Sequence, residues 1–128
     1  LQKLISKKGY VVNTLALPYG SRPKDDSLAP YLHAGSYNDL AYKNIAILNV
    51  GWNPAYSPYD AKFNNLSIPR IRASEMKVDN VGMYNYIQYF DNHPEERFIS
   101  DGVSEVITVP AAKAELIKAT TDKELYTY

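Results

Sequence analysis

Few side chains in this sequence can do acid–base, nucleophilic or metal chemistry. Cysteine is absent from the 128 residues, which removes disulfides, thiolate zinc sites and a cysteine nucleophile. The two histidines are His33 and His93. They lie too far apart in sequence to make a local metal motif, and a structural or solvated role suits both, His33 near an expected helix end and His93 in a turn before Pro94. Asp25 and Asp26 form an acidic pair, but they open a helix, where a carboxylate beside free backbone N–H groups acts as a cap. Arg70 and Arg72 share a short strand and are expected to be ion-paired. Aromatic surface remains. Trp52, Tyr56 and Tyr59 lie on one loop, and their rings could pack on the C–H faces of a sugar while its hydroxyls stay wet. The same rings could instead stack with Pro54 and Pro58 to pin that loop.

The rest of the composition bounds the function more than it names one. A chain of this length holds one core and can bury roughly two thirds of its unfolded surface, so a single domain over residues 1–128 is the expectation. With 45% hydrophobic and 22% charged residues, and 14 basic against 14 acidic side chains, it reads as globular. Zero net charge gives no electrostatic footprint for nucleic acid, and Lys3, Lys7 and Lys8 read as a short solvated helix face. No apolar run approaches the roughly 20 residues of a membrane span. The 12 tyrosines suit sugar binding and equally the wet edge of a core.

At the start of the chain, Leu1, Leu4 and Ile5 share a helix face that Gly9 closes. No cap precedes Leu1, which leads us to expect residues upstream. Tyr10 to Leu17 is an apolar run without alternation, as in a strand buried on both faces of a parallel sheet. Pro18 ends it in a turn-rich loop, and a short helix runs through Leu28 and Leu32 to Gly35. Asn44 to Val50 is a second apolar strand, succeeded by the Trp52–Asp60 loop and a short strand from Ile68 to Ala73. Asp79 or Asn80 caps a helix with Met83, Tyr86, Ile87 and Phe90 on one face. Glu105 to Val109 makes a last strand and Ala111 to Ala119 a last helix. Strands alternating with helices imply an α/β fold with parallel pairing. The loops after Leu17 and Val50 should then share the C-terminal rim on which such folds build their sites.

The segment Leu15-Ala16-Leu17-Pro18-Tyr19-Gly20 resembles the third motif of the NodB-type polysaccharide deacetylases, carbohydrate esterase family four, where a strand ends in a Pro-Tyr-Gly or Pro-Phe-Gly turn. The order of the downstream elements is also similar: a short helix, Gly35 to Tyr37, the strand through Ile45 to Val50, Trp52, and Ile68-Pro69-Arg70-Ile71. Asn-Thr-Leu-Ala-Leu-Pro-Tyr-Gly, Tyr-Ser-Pro-Tyr and Pro-Glu-Glu-Arg-Phe-Ile-Ser-Asp-Gly resemble a subgroup from Gram-positive bacteria. The resemblance implies an α/β fold that is the C-terminal part of a distorted (β/α) barrel. It implies removal of N-acetyl groups from a cell-wall or chitin-like glycan by a secreted or cell-wall-associated hydrolase. It further implies zinc or another divalent metal, held by one aspartate and two histidines in His-x-x-x-His, and an aspartate base. None of these ligands has a counterpart in this chain. Through the resemblance, the backbone N–H of Tyr19 would stabilise the oxyanion, Pro18 would fix the turn, and Gly20 would admit the substrate. Trp52, Tyr56 and Tyr59 would line the sugar groove.

Two positions depart from the pattern. Ala16 stands where the family places an arginine that keeps the base ionised, and the late Leu-x-His motif of the general acid has no counterpart. This leaves two main readings. One is a deacetylase fragment that works with an upstream segment or a second chain, because a part-barrel would expose strand edges and apolar surface. The other is a non-catalytic cell-wall carbohydrate-binding domain with degenerate motifs. A self-contained α/β interaction domain is the plainest remaining option.

Overall fold

The computed structural model describes residues 7, 9–73, 82–97, 102–119 and 121–128. Among them are strands β1 (Thr14–Ala16), β2 (Ala34–Tyr37), β3 (Leu40–Lys43), β4 (Ala46–Val50), β5 (Ile68–Arg70), β6 (Val106–Val109) and β7 (Glu124–Thr127), with one α-helix, α1 (Met83–Asn92). The expected opening helix, and the caps Asp79 and Asn80, fall outside these residues. The chain divides into two compact units, Leu1–Ala55 with Asn64–Ile71, and Tyr56–Phe63 with Arg72–Tyr128. Helices and strands are mixed, the sheets are small, and no barrel closes among the described residues.

The first unit is built on a parallel three-stranded sheet in the order β1-β4-β5. Thr14 pairs with Ala46 and Ala16 with Leu48, while Leu48 pairs with Ile68 and Val50 with Arg70. The β-branched and apolar run around Ile47 makes β4 the central strand, and Ile47 is almost fully buried there beside Leu17. The expected strand from Tyr10 is shorter than its apolar run. Tyr10 and Val11 are exposed, as are Thr14 and Ala16 on β1, so β1 is an edge strand rather than one covered on both faces.

Between β1 and β4 the chain makes a 3-10 helix, Asp26–Leu32, and then the antiparallel hairpin β2–β3. Asp25 caps the helix as expected, its carboxylate accepting from Ser27 N–H at 2.9 Å. Gly35 does not close this helix but lies in β2. Asn38 and Asp39 turn the hairpin at φ 48° and 61°, the double left-handed geometry that suits the right-handed twist of paired strands. Asn44, the buried polar residue, donates from Nδ2 to Leu32 O at 2.7 Å, tying the hairpin's exit to the helix end.

In the second unit, β6 and β7 pair in parallel from Val106↔Glu124 to Val109↔Thr127, burying Ile107 and Val109. The last helix is a 3-10 segment, Ala111–Leu116, rather than an α-helix to Ala119. Helix α1 opens at Gly82, whose N–H donates to Asn85 Oδ1 at 3.1 Å. Its stripe is only partly covered: Ile87 is exposed, and Met83, Tyr86 and Phe90 are half-buried.

Candidate functional site

The end of β1 runs directly into a tight, hydrogen-bonded turn in the first unit. Leu17 N–H continues the ladder to Leu48 O at 2.9 Å, after which Gly20 N–H returns to Leu17 O at 3.2 Å and Ser21 N–H to Pro18 O at 3.0 Å. Pro18 takes the first position of this tight turn, where its missing N–H costs nothing. Tyr19 is forced to φ 53°, ψ 14°, a left-handed conformation that a tyrosine rarely adopts. Tyr19 as a whole is 96% exposed, so the strain is not offset by ring packing. The Tyr19 N–H donates to no acceptor among the described residues. Gly20 lies at φ 70° against the end of β4, where an added Cβ would stand 3.3 Å from both Val50 N and Val50 Cβ. The loops after Leu17 and Val50 therefore do leave from one rim, as parallel pairing requires.

Arg70 crosses this rim. From β5 its Nε donates to Asn49 O at 3.1 Å and its Nη2 to Leu17 O at 3.3 Å. The expectation that Arg70 is ion-paired is therefore corrected: it bonds strand-end carbonyls and no carboxylate among the described residues. The physical reason is that carbonyls at the C-terminal ends of strands have spare lone pairs that a long planar donor can reach. Arg22 bonds Leu66 O at 2.8 Å, and Asn49 Nδ2 donates to Ser67 Oγ at 2.6 Å. These two contacts fix the loop after the turn and the approach to β5. Arg70 was legible in the sequence only as a strand residue, since its acceptor on β1 lies 53 positions away.

The three aromatic candidates do not fall in one unit. Trp52 belongs to the first and is 57% exposed, whereas Tyr56 and Tyr59 belong to the second. Tyr56 is exposed, with the Lys62 ammonium 5.7 Å from its ring centroid. The loop around Tyr59 is held by polar bonds: Tyr59 N–H to Ser57 Oγ at 3.3 Å, Lys118 N–H to Tyr59 O at 2.8 Å, and Lys118 Nζ to Pro58 O at 3.0 Å.

One cluster was not foreseen from the sequence. His93, Glu95 and Glu96 bring three potential ligand atoms within 4.8 Å of one another, all in the second unit. His93 Nδ1 lies 3.3 Å from Glu95 Oε1, and Glu96 accepts from the Tyr89 hydroxyl at 2.8 Å. The Glu95 carboxyl is held below its ordinary value, first by a hydrogen bond from its own N–H and also by His93, while the bond to Glu96 raises Tyr89. The local signal was the His-Pro-Glu-Glu run. Its two glutamates and one histidine are not the one-aspartate, two-histidine set implied by the resemblance, and its groups are solvent-exposed and already hydrogen-bonded. These residues do not fit that metal centre. His33 sits at the end of its 3-10 helix, its N–H bonded to Pro30 O and its carbonyl accepting from Asn44 N–H, which accords with a structural role.

No protein-family description, curated protein or solved structure matches this chain.

Proposed function

We propose that this chain is part of a metal-dependent polysaccharide deacetylase, secreted or cell-wall-associated, that hydrolyses N-acetyl groups of a cell-wall or chitin-like glycan. In this reading β1-β4-β5 is one segment of a (β/α) barrel, and an upstream segment or second chain completes it. The observation that carries the proposal is the left-handed Tyr19 with an N–H that has no internal acceptor among the described residues, at the C-terminal rim of a parallel sheet. Strain in a turn of this kind persists only where surrounding structure enforces it, and it marks functional backbone more often than chance.

The chemistry asked of the turn is limited and specific. When water adds to an acetyl carbonyl, the oxygen gains a full negative charge, and a donor already aimed at it lowers the barrier without reorganising. The C–N bond then breaks, the amine leaves with a proton, and acetate is released. Tyr19 N–H is the donor to that oxygen; Pro18 and Gly20 hold it in place. The base, the general acid and the ligands of the divalent ion are outside this set of residues, and no step here is assigned to the ion. Within the first unit, Trp52 supports a sugar surface by its exposure. That same exposure also supports the second reading, a carbohydrate-binding domain without catalysis.

Acetate release from N-acetylated chitin and peptidoglycan fragments, measured on the full-length protein with and without added zinc, separates the two. The deacetylase reading expects zinc-dependent acetate. Saccharide binding with no acetate would leave the binding domain.

A further inference from the structure

We infer that Arg70 is a positioning residue for the turn after β1: its guanidinium holds the Leu17 carbonyl and, through it, keeps Tyr19 in the left-handed conformation. The inference rests on the deacetylase reading for the use made of the Tyr19 N–H. The brace itself is a conformational property that can be read without turnover.

Tyr19 stands at φ 53°, ψ 14°, and a residue with a Cβ stays in that region only where neighbouring structure enforces it. Its own ring supplies no such enforcement, because Tyr19 is almost fully exposed. The bonds from Gly20 N–H to Leu17 O and from Ser21 N–H to Pro18 O join residues of the turn to one another, so they anchor it to nothing outside. An outside anchor comes from Arg70, whose Nη2 donates at 3.3 Å to Leu17 O, the carbonyl that also closes the turn.

Arg70 suits this task because it is itself fixed. Its backbone pairs with Val50 at the end of β4, and its carbonyl accepts from Gly51 N–H at 3.2 Å. The order β1-β4-β5 separates it from the turn by the central strand. Its side chain spans that strand, with Nε donating to Asn49 O at 3.1 Å. Asn49 is held in its turn by Nδ2 donating to Ser67 Oγ at 2.6 Å. Nε and Nη2 form one edge of the planar guanidinium, so a carbonyl of β4 and the carbonyl that ends β1 are kept in a fixed relation. Bonds from an ionised donor are also stronger than those between neutral groups. A lysine lacks the planar fork and would hold the two carbonyls less rigidly. Without Arg70, Tyr19 relaxes toward negative φ and its N–H loses its aim, although the three strands remain paired.

The test uses the full-length protein labelled with nitrogen-15 and carbon-13, as wild type, Arg70→Gln, Arg70→Lys, Tyr19→Gly and the double variant Tyr19→Gly with Arg70→Gln. Positive φ brings a residue's amide proton close to its own Hα, so wild type should show a strong intraresidue NOE at Tyr19. In Arg70→Gln that NOE should weaken, or the Tyr19 amide should broaden by exchange, while the cross-strand NOEs of Thr14 with Ala46 and of Leu48 with Ile68 persist. Acetate release by Arg70→Gln should fall by about 10- to 10²-fold in kcat with KM little changed, and Arg70→Lys should lie between. Glycine enters the left-handed region without a Cβ penalty. In the Tyr19→Gly background, Arg70→Gln should therefore cost only a few-fold in kcat. An unchanged Tyr19 NOE with a sharp amide in folded Arg70→Gln would overturn the proposal, as would an equal kcat loss from Arg70→Gln in both backgrounds. Should Arg70→Gln fail to fold, Arg70→Lys decides on the same NOE: unchanged, it contradicts the brace, and weakened, it supports it. An Arg70-dependent Tyr19 NOE in a protein that releases no acetate from any glycan would retire the deacetylase reading and leave the brace standing.

Discussion

Tyr19 and Gly20 are consecutive residues with positive φ, 53° and 70°, and they show how a short motif imposes itself on a backbone. Gly20 tolerates the region because it has no Cβ, and the approach of Val50 to 3.3 Å leaves little space for one. Gly20→Ala is therefore expected to destabilise the protein by about 1–2 kcal/mol in urea unfolding, from left-handed strain alone. Asp25 makes a different residue-scale prediction. Hydrogen bonds from Ser27 hold its carboxyl below the ordinary aspartate value. A folded-state value below the unfolded one means the contribution is present above the unfolded value and is lost as pH falls through the folded one. Asp25→Ala should thus lower the thermal midpoint at neutral pH and lower it less under strongly acidic conditions. Equal losses at both would show that ionisation has no part in the cap. The cap was legible because Asp25 precedes a helix run in the sequence. The Arg70 contact was not legible, because nothing local to residue 70 announces an acceptor on β1.

At the scale of elements, the parallel pairing of β1, β4 and β5 was legible from apolar runs bounded by Pro18 and Gly51, and it placed the starts of the loops after Leu17 and Val50 on one rim. Gly51 has a second role there. An added Cβ would fall 2.2 Å from Pro69 Cβ and 2.9 Å from Pro69 Cα, so β4 exits only by passing tightly along β5. Gly51→Ala should cost about 1–3 kcal/mol by overpacking, read as a lower urea midpoint with an unchanged slope; a neutral result would mean that β5 can move aside. Two elements were hidden in the sequence for identifiable reasons. The β2–β3 hairpin turns on Asn38-Asp39, which lacks the glycine that usually marks such turns. Strand β7, Glu-Leu-Tyr-Thr, is exposed at every position, so no burial pattern betrays it. The alanine-rich segment after Pro110 has helix propensity, yet 3-10 geometry ends it at Leu116.

At the scale of the molecule, the expectation of one core meets a chain that divides into two units, each with its own almost fully buried isoleucine, Ile47 and Ile107. Truncating either leaves a cavity that costs about 2–4 kcal/mol. Hydrogen exchange should locate the loss: Ile47→Ala should speed exchange on β1, β4 and β5, and Ile107→Ala on β6 and β7. Loss of protection throughout the chain from either change would instead indicate one cooperative core. Alternating strands and helices were expected from end to end, but α1 is the single α-helix among the described residues. Short segments rich in proline and tyrosine fold as 3-10 turns because the hydrogen bonds of a full α-helix are interrupted, as Pro30 does within Asp26–Leu32.

The oxyanion role proposed for Tyr19 depends on one backbone N–H, which can be removed without touching a side chain. Incorporating the α-hydroxy-acid analogue of tyrosine at position 19 of the full-length protein replaces the amide by an ester. Acetate release from an N-acetylated glycan oligomer should then fall by about 10²- to 10³-fold in kcat, with KM little changed. An unaltered kcat in the folded ester variant would contradict the role given to Tyr19.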